Sequence, residues 1–225
     1  MEVKTKWPAG SGRQSATIAA VALLLSLMTA CATTRQVHST PEHQTINLKA
    51  GDLETHGLAF LTPSTVTTQE EDKQALAFVF ADALHRSRPG IEFKTLAETI
   101  AAINRAELAE DYRDMYHDYR DTGVFDRDVM ARIAAAVGSR YLAQIKLGAL
   151  KQDARGRFGV LGLSVFNTQY ANVRVFFQIW DSTDGSIVWE GINEVSYAED
   201  TGAERVITFR AVVGAAAEEL IKRLP

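Results

Sequence analysis

The sequence predicts an α/β (α+β) fold, one domain with a mixed parallel and antiparallel β-sheet flanked by helices. Three observations lead there. Two helical crossovers join the early strand-like segments, and a strand that returns through a helix runs parallel to the one it left. From residue 141 the apolar period falls from that of a helix to that of a strand. There Ser182-Thr183-Asp184-Gly185 turns one alternating segment back on the next, which makes an antiparallel hairpin. A final stretch whose apolar residues step by three or four closes the chain as a helix.

The elements follow in order. Residues 56–61 form the first strand, ended by Thr62-Pro63. Thr68 with Glu71 reads as a capping box, and Glu70, Glu71 and Asp72 suit the positive end of a helix dipole. Leu76, Val79, Phe80, Ala83 and Leu84 then make one apolar stripe, and Pro89-Gly90 stops the helix. A short strand over 91–94 leads to a second capping box, Thr95 with Glu98, and to a helix that buries Leu96, Ile100 and Ile103. A further helix carries Met130, Ile133, Ala134 and Val137 on one side, with Gly138 placed to cap its end. Residues 141–150 are a strand. In the next, Val173, Val175, Phe177 and Ile179 alternate with Arg174 and Gln178, and residues 187–197 are the returning partner. Val206, Phe209, Val213, Ala217, Leu220 and Leu224 line the closing helix.

Composition narrows what such a body does. The chain has 24 basic and 28 acidic residues. Lys4, Lys6 and Arg13 against Glu2 give residues 1–30 a net +2, so of the total −4 the remainder carries −6. That balance argues against nucleic acid as a partner and against a polybasic grip on anionic lipid. Cys31 is the only cysteine, so no internal disulfide forms and stability rests on a packed core. At the amino end a basic region precedes an apolar run over 18–28 that is shorter than the ~20 residues needed to span a bilayer, which reads as a secretory signal. Residues 32–52 are polar and aperiodic. Twenty such residues make a flexible tether with a root-mean-square span of roughly 25 Å and a reach of about 70 Å. The expected organisation is a signal peptide over 1–30, a tether over 31–52 and a globular body over 53–225.

Leu27-Met28-Thr29-Ala30-Cys31 resembles the lipobox of bacterial lipoproteins. Met28 departs from the pattern, where Leu or Val is commoner. The resemblance implies a diacylglycerol on the Cys31 sulfur, cleavage before it and acylation of the new amino terminus. Ala32, rather than Asp, then implies the outer membrane, with the body in the periplasm. Over residues 55–223 the order of elements resembles a group of envelope lipoproteins: the curli-secretion pore subunit, the lipoprotein activators of penicillin-binding proteins and the amino-terminal domain of TolB. The resemblance lies in Leu58-Ala59-Phe60-Leu61-Thr62-Pro63, in Gly138-Ser139-Arg140-Tyr141-Leu142 and in the hairpin from Phe176 to Trp189. It implies binding, assembly or support of an envelope machine rather than catalysis. The expected partner is an envelope protein, with a homo-oligomer as an alternative. A secretion-pore subunit and a metal-dependent envelope enzyme are the alternative functions.

Neither alternative finds a strong motif. Residues 158–166 are long enough for one membrane strand, but Val160, Leu161, Leu163, Val165 and Phe166 place apolar residues on both faces, where a pore strand alternates. Phe158, Leu161, Leu163 and Phe166 instead make a candidate packing patch for a partner or a piece of core. Asp114, His117 and Asp121 share one helical face, yet Arg113 and Arg120 compensate the charge locally, so an exposed ion-paired face is expected rather than a metal site. No phosphate loop, nucleophile elbow or cofactor motif is present. Tyr112, Tyr116 and Tyr119 recur at i, i+4 and i+7. Such a stripe either binds a partner or covers the edge of the sheet.

Overall fold

A computed structural model describes residues 35–66, 69–156, 159–160, 163–164, 167–201 and 207–225, all within the unit Arg35–Pro225. In its parallel half, β2 (Leu58–Phe60) runs parallel to β4 (Phe93–Lys94) on one side and to β5 (Tyr141–Gly156) on the other. Further along β5, β3 (Ser64–Thr65) pairs with it in parallel. The antiparallel half follows: β8 (Asn167–Asp181) on β5, β9 (Ser186–Thr201) on β8, and β1 (Arg35–Thr45) on β9. The strand order is β1-β9-β8-β5-β2-β4, as mixed as the crossovers and hairpin predict. Two short strands, β6 (Gly159–Val160) and β7 (Leu163–Ser164), pair with each other.

Helices cover both faces. On one, α2 (Glu70–Ser87) and α6 (Phe209–Ile221) pack through Leu76, Phe80, Leu84, Val213 and Leu220 onto Phe60, Ile145, Val175, Phe177 and Trp189. On the other, α3 (Leu96–Arg105), α4 (Ala109–Thr122) and α5 (Arg127–Val137) bury Ala59, Leu61, Leu142 and Trp180. Leu58, Ala59, Phe60 and Leu61 are all buried, the continuous apolar run expected of a parallel strand covered twice. The short α1 (Asp52–His56) lies between Gly51 and Gly57, whose φ of 87° and 69° lie in the range that favours glycine. It occupies the start of the segment expected as strand. No helix among the described residues is long and apolar enough to cross a membrane.

Local chemistry explains the boundaries. The Thr95 hydroxyl accepts from the Glu98 amide at 3.3 Å, and the Glu98 carboxylate accepts from the Thr95 amide at 2.8 Å, so the second capping box is present. Hydrogen bonds from the Thr95 amide and hydroxyl to the Glu98 carboxylate hold its pKa below the ordinary value. Gly138 ends α5 at φ 72°, its amide donating to the Ala134 carbonyl at 2.9 Å. The first capping box is corrected: Gln69, with extended backbone and no side-chain bond, is the N-cap of α2, and Thr68 lies outside the described residues. Val206, expected in the closing helix, lies outside them as well.

The larger correction concerns the tether. Arg35–Thr45 is an eleven-residue strand paired with β9 along its whole length, from Arg35 opposite Glu199 to Thr45 opposite Trp189. The body therefore begins at Arg35 and not at residue 53. The physical reason is that β1 is an edge strand held by its backbone ladder, and Val37, His38, Thr40, Glu42 and Gln44 are exposed. Nothing apolar alternates, so no period is visible. Pro41 is tolerated only at such an edge, and it removes one donor from a backbone that would otherwise template further pairing.

Candidate functional site

Along the face covered by α3–α5, the sheet changes character from residue to residue. On β5 the sequence is Leu142, Gln144, Lys146, and on β8 it is Trp180, Gln178, Phe176. Leu142 and Trp180 are buried core, Gln144 is fully buried but polar, and Lys146, Gln178 and Phe176 are half-buried. The helical layer stops where the apolar residues stop, and a cleft of about 640 Å³ opens there. The segment after β2 (Thr62 and Pro63, then Ser64 and Thr65 of β3), the tyrosine side of α4, Lys73 of α2 and Lys146 line it. It lies beyond the carboxyl end of β2, the position at which open α/β sheets commonly bind ligands.

The tyrosine stripe builds this cleft from within. Tyr112 and Tyr119 are only 8% and 4% exposed, so they are not a presented contact surface, and the partner-binding role expected for Tyr112, Tyr116 and Tyr119 is corrected. The rings cover the sheet instead. Tyr119 stacks on Phe125 at 3.9 Å, Phe125 meets Trp180 edge-on at 5.1 Å, and Tyr116 meets Tyr112 edge-on at 4.9 Å. Their hydroxyls find the polar groups that the sheet exposes at this point. Tyr112 accepts from the Thr62 amide at 2.9 Å and donates to Thr62 Oγ1 at 3.0 Å. The Tyr116 hydroxyl lies 2.7 Å from the Thr62 carbonyl and 2.9 Å from Gln144 Oε1, while Gln144 Nε2 donates to Ser64 Oγ at 3.2 Å. Tyr119 donates to Gln178 Oε1 at 3.2 Å.

Burial pushes all three phenol pKa values up, and at Tyr116 the neighbouring Tyr112 and Tyr119 add to the effect. These rings remain neutral hydroxyls at physiological pH and act as hydrogen-bonding fixtures, not as bases. Lys146 is shifted the other way: burial lowers its pKa, and Glu190 offsets part of the effect. Its ammonium stands 4.5 Å from the centre of the Tyr119 ring.

The remaining expected residues fall elsewhere. Cys31, Phe158, Leu161 and Phe166 lie outside the described residues, and Leu163 sits in β7. Asp114 pairs with Arg113 at 3.1 Å, Asp121 with Arg120 at 3.5 Å, and His117 Nδ1 lies 3.3 Å from Arg120, so the face is ion-paired as expected. No cluster of three metal-ligating side chains occurs among the described residues. Sequence reasoning missed Gln144 and Lys146. The available signal was a polar residue inside Leu142-Ala143-Gln144-Ile145, where an otherwise apolar strand must satisfy an amide.

No family model and no curated protein matches this sequence. Among solved structures, the chain is similar to the PelC dodecamer from Paraburkholderia phytofirmans, with a TM-score of 0.47 and 12% identity over 83% of this chain and 97% of that one. It is similar to lipoprotein GNA1162 from Neisseria meningitidis, with a TM-score of 0.35 and 12% identity over 67% of this chain and 87% of that one. The C-terminal domain of LpoB from Salmonella enterica gives 0.35 and 14% over 62% of this chain and 82% of that one.

Proposed function

We propose that this chain is a non-catalytic lipoprotein, held by lipid on Cys31 to the inner leaflet of the outer membrane, whose periplasmic α/β body binds another envelope component. The observation that carries this reading is Leu27-Met28-Thr29-Ala30-Cys31, a lipobox-like segment behind a basic region and a short apolar run. Each buried CH₂ contributes about 0.8 kcal/mol, and one acyl chain anchors only marginally, so two or three chains on Cys31 make the attachment lasting. The cleft supports a binding role. Lysine and arginine side chains line it together with the Thr62 and Ser64 hydroxyls, groups suited to recognising a polar or charged partner.

The test is mass spectrometry of the protein from its native host, joined to membrane fractionation of Cys31→Ser. Acylated Cys31 as the amino-terminal residue, and release of Cys31→Ser from the outer-membrane fraction, are expected. An unmodified amino end, or unchanged fractionation, overturns the reading. Crosslinking in intact cells, followed by detergent extraction, is expected to recover an envelope partner, and recovery of none counts against the binding role.

A further inference from the structure

We propose that the cleft bounded by α4, the loop at 62–65 and β5 binds an organic oxyanion, a carboxylate or phosphate group, with Lys146 as its central charge. Lys73, Arg113, Arg120 and Lys146 line the cleft together with His117, and no aspartate or glutamate among the described residues does. The partners of the first three, Glu70, Asp114 and Asp121, have side chains 60%, 67% and 74% exposed. Ion pairs that exposed contribute little, so these cations turn toward an incoming anion at small cost.

Lys146 is different. It is half-buried between β3 and β8, on the sheet face, and no carboxylate among the described residues lies within ion-pair distance of it. Glu190, whose charge partly offsets the burial of Lys146, accepts a hydrogen bond from Gln178 at 3.2 Å. An ammonium drawn partly out of water without a counter-ion carries a desolvation cost that an anion in the cleft would offset. The Tyr119 ring lies against its ammonium, and Ser64, its register partner on β3, adds a hydroxyl to the lining together with Thr62. A volume of about 640 Å³ accommodates a small organic molecule or the charged end of a larger one.

The experiment uses the full chain in detergent, titrated calorimetrically with D-glucuronate, with inorganic phosphate, and with glucose as the uncharged match. At least one anion is expected to bind saturably, at least tenfold more tightly than glucose, and more weakly as salt is raised. Binding of both anions assigns the bare oxyanion as the recognised group, and binding of glucuronate alone adds the sugar ring. Lys146→Met keeps the aliphatic stem over Tyr119 and is expected to lose tenfold or more in affinity, with an unfolding midpoint equal to or above that of the parent. Should that variant fail to fold, Arg120→Gln decides, because its side chain is 71% exposed; a severalfold loss is expected. Equal binding of glucose and glucuronate, no binding of either anion, or undiminished affinity in these variants overturns the proposal. It goes beyond the lipoprotein reading and does not rest on it, since lipidation and anion binding are measured separately and fail separately.

Discussion

Adding one methyl group at each of two glycines is expected to move stability in opposite directions. A Cβ built on Gly191, in β9, would stand 2.6 Å from Trp189 Cη2 and 2.9 Å from Leu220 Cδ2. Neither neighbour can yield easily. Trp189 and Leu220 are fully buried, and the Trp189 ring is wedged against Phe177 at 5.8 Å between centroids. Overpacking of this kind costs roughly 1–3 kcal/mol. In a body of this size each kcal/mol lowers the melting temperature by about 2–4 °C, so Gly191→Ala is expected to melt roughly 2–12 °C below the parent. Gly214 sits inside α6, where its Cβ would meet only Val79 Cγ1 at 3.9 Å, an ordinary contact. There Ala replaces the least favourable helix residue after proline, and Gly214→Ala is expected to gain up to about 1 kcal/mol. Urea unfolding followed by tryptophan fluorescence measures both, with the midpoint shifting and the slope unchanged. Equal midpoints for the two variants, or a stabilised Gly191→Ala, would refute the packing argument.

Further perturbations test the site and its supports. Tyr116→Phe removes the single hydroxyl proton within reach of both the Thr62 carbonyl and the buried Gln144 Oε1, and a loss of about 1–3 kcal/mol is expected in the same urea assay. Thr95→Ala removes the capping box of α3 and is expected to cost about 1 kcal/mol. Asp181 supplies a pH test. Burial raises its pKa, but bonds from Arg140 at 3.0 and 3.1 Å and from the Thr183 amide at 3.0 Å more than offset this, so its folded value lies below the ordinary 3.8. A depressed carboxyl contributes stability that is complete above its unfolded value and fades as pH falls through its folded one. Melting temperature followed from pH 6 to pH 2 is therefore expected to fall more steeply in the parent than in Asp181→Asn. Parallel curves would show that this carboxylate is not the titrating contributor.

What was legible in the sequence was whatever repeated with a period. The stripe Leu76–Val79–Phe80–Ala83–Leu84 is buried in α2 as its spacing predicts, and Val173, Val175, Phe177 and Ile179 do face the core from β8. Helical crossovers and the turn at Ser182–Gly185 were enough to predict parallel and antiparallel halves. What stayed hidden lacked a period. β1 buries almost nothing and is held by backbone bonds, which any polar residue supplies equally well. The tyrosine stripe had the right spacing, but its direction depends on how α4 is rotated about its axis. That rotation is set by Thr62, Gln144 and Gln178, residues far away along the chain. Lys146 shows nothing unusual in a one-dimensional pattern, because the helical layer ends beside it only in three dimensions.

The eleven-residue edge strand also bears on how the sheet is completed. Because β1 pairs with β9 and no other described strand, its docking joins Arg35 to Glu199 and Thr45 to Trp189, positions far apart along the chain. Closing so long a loop costs entropy before the backbone ladder returns any of it. The amides of β1 are therefore expected to exchange with solvent sooner than those of β5 and β8 in the interior of the sheet.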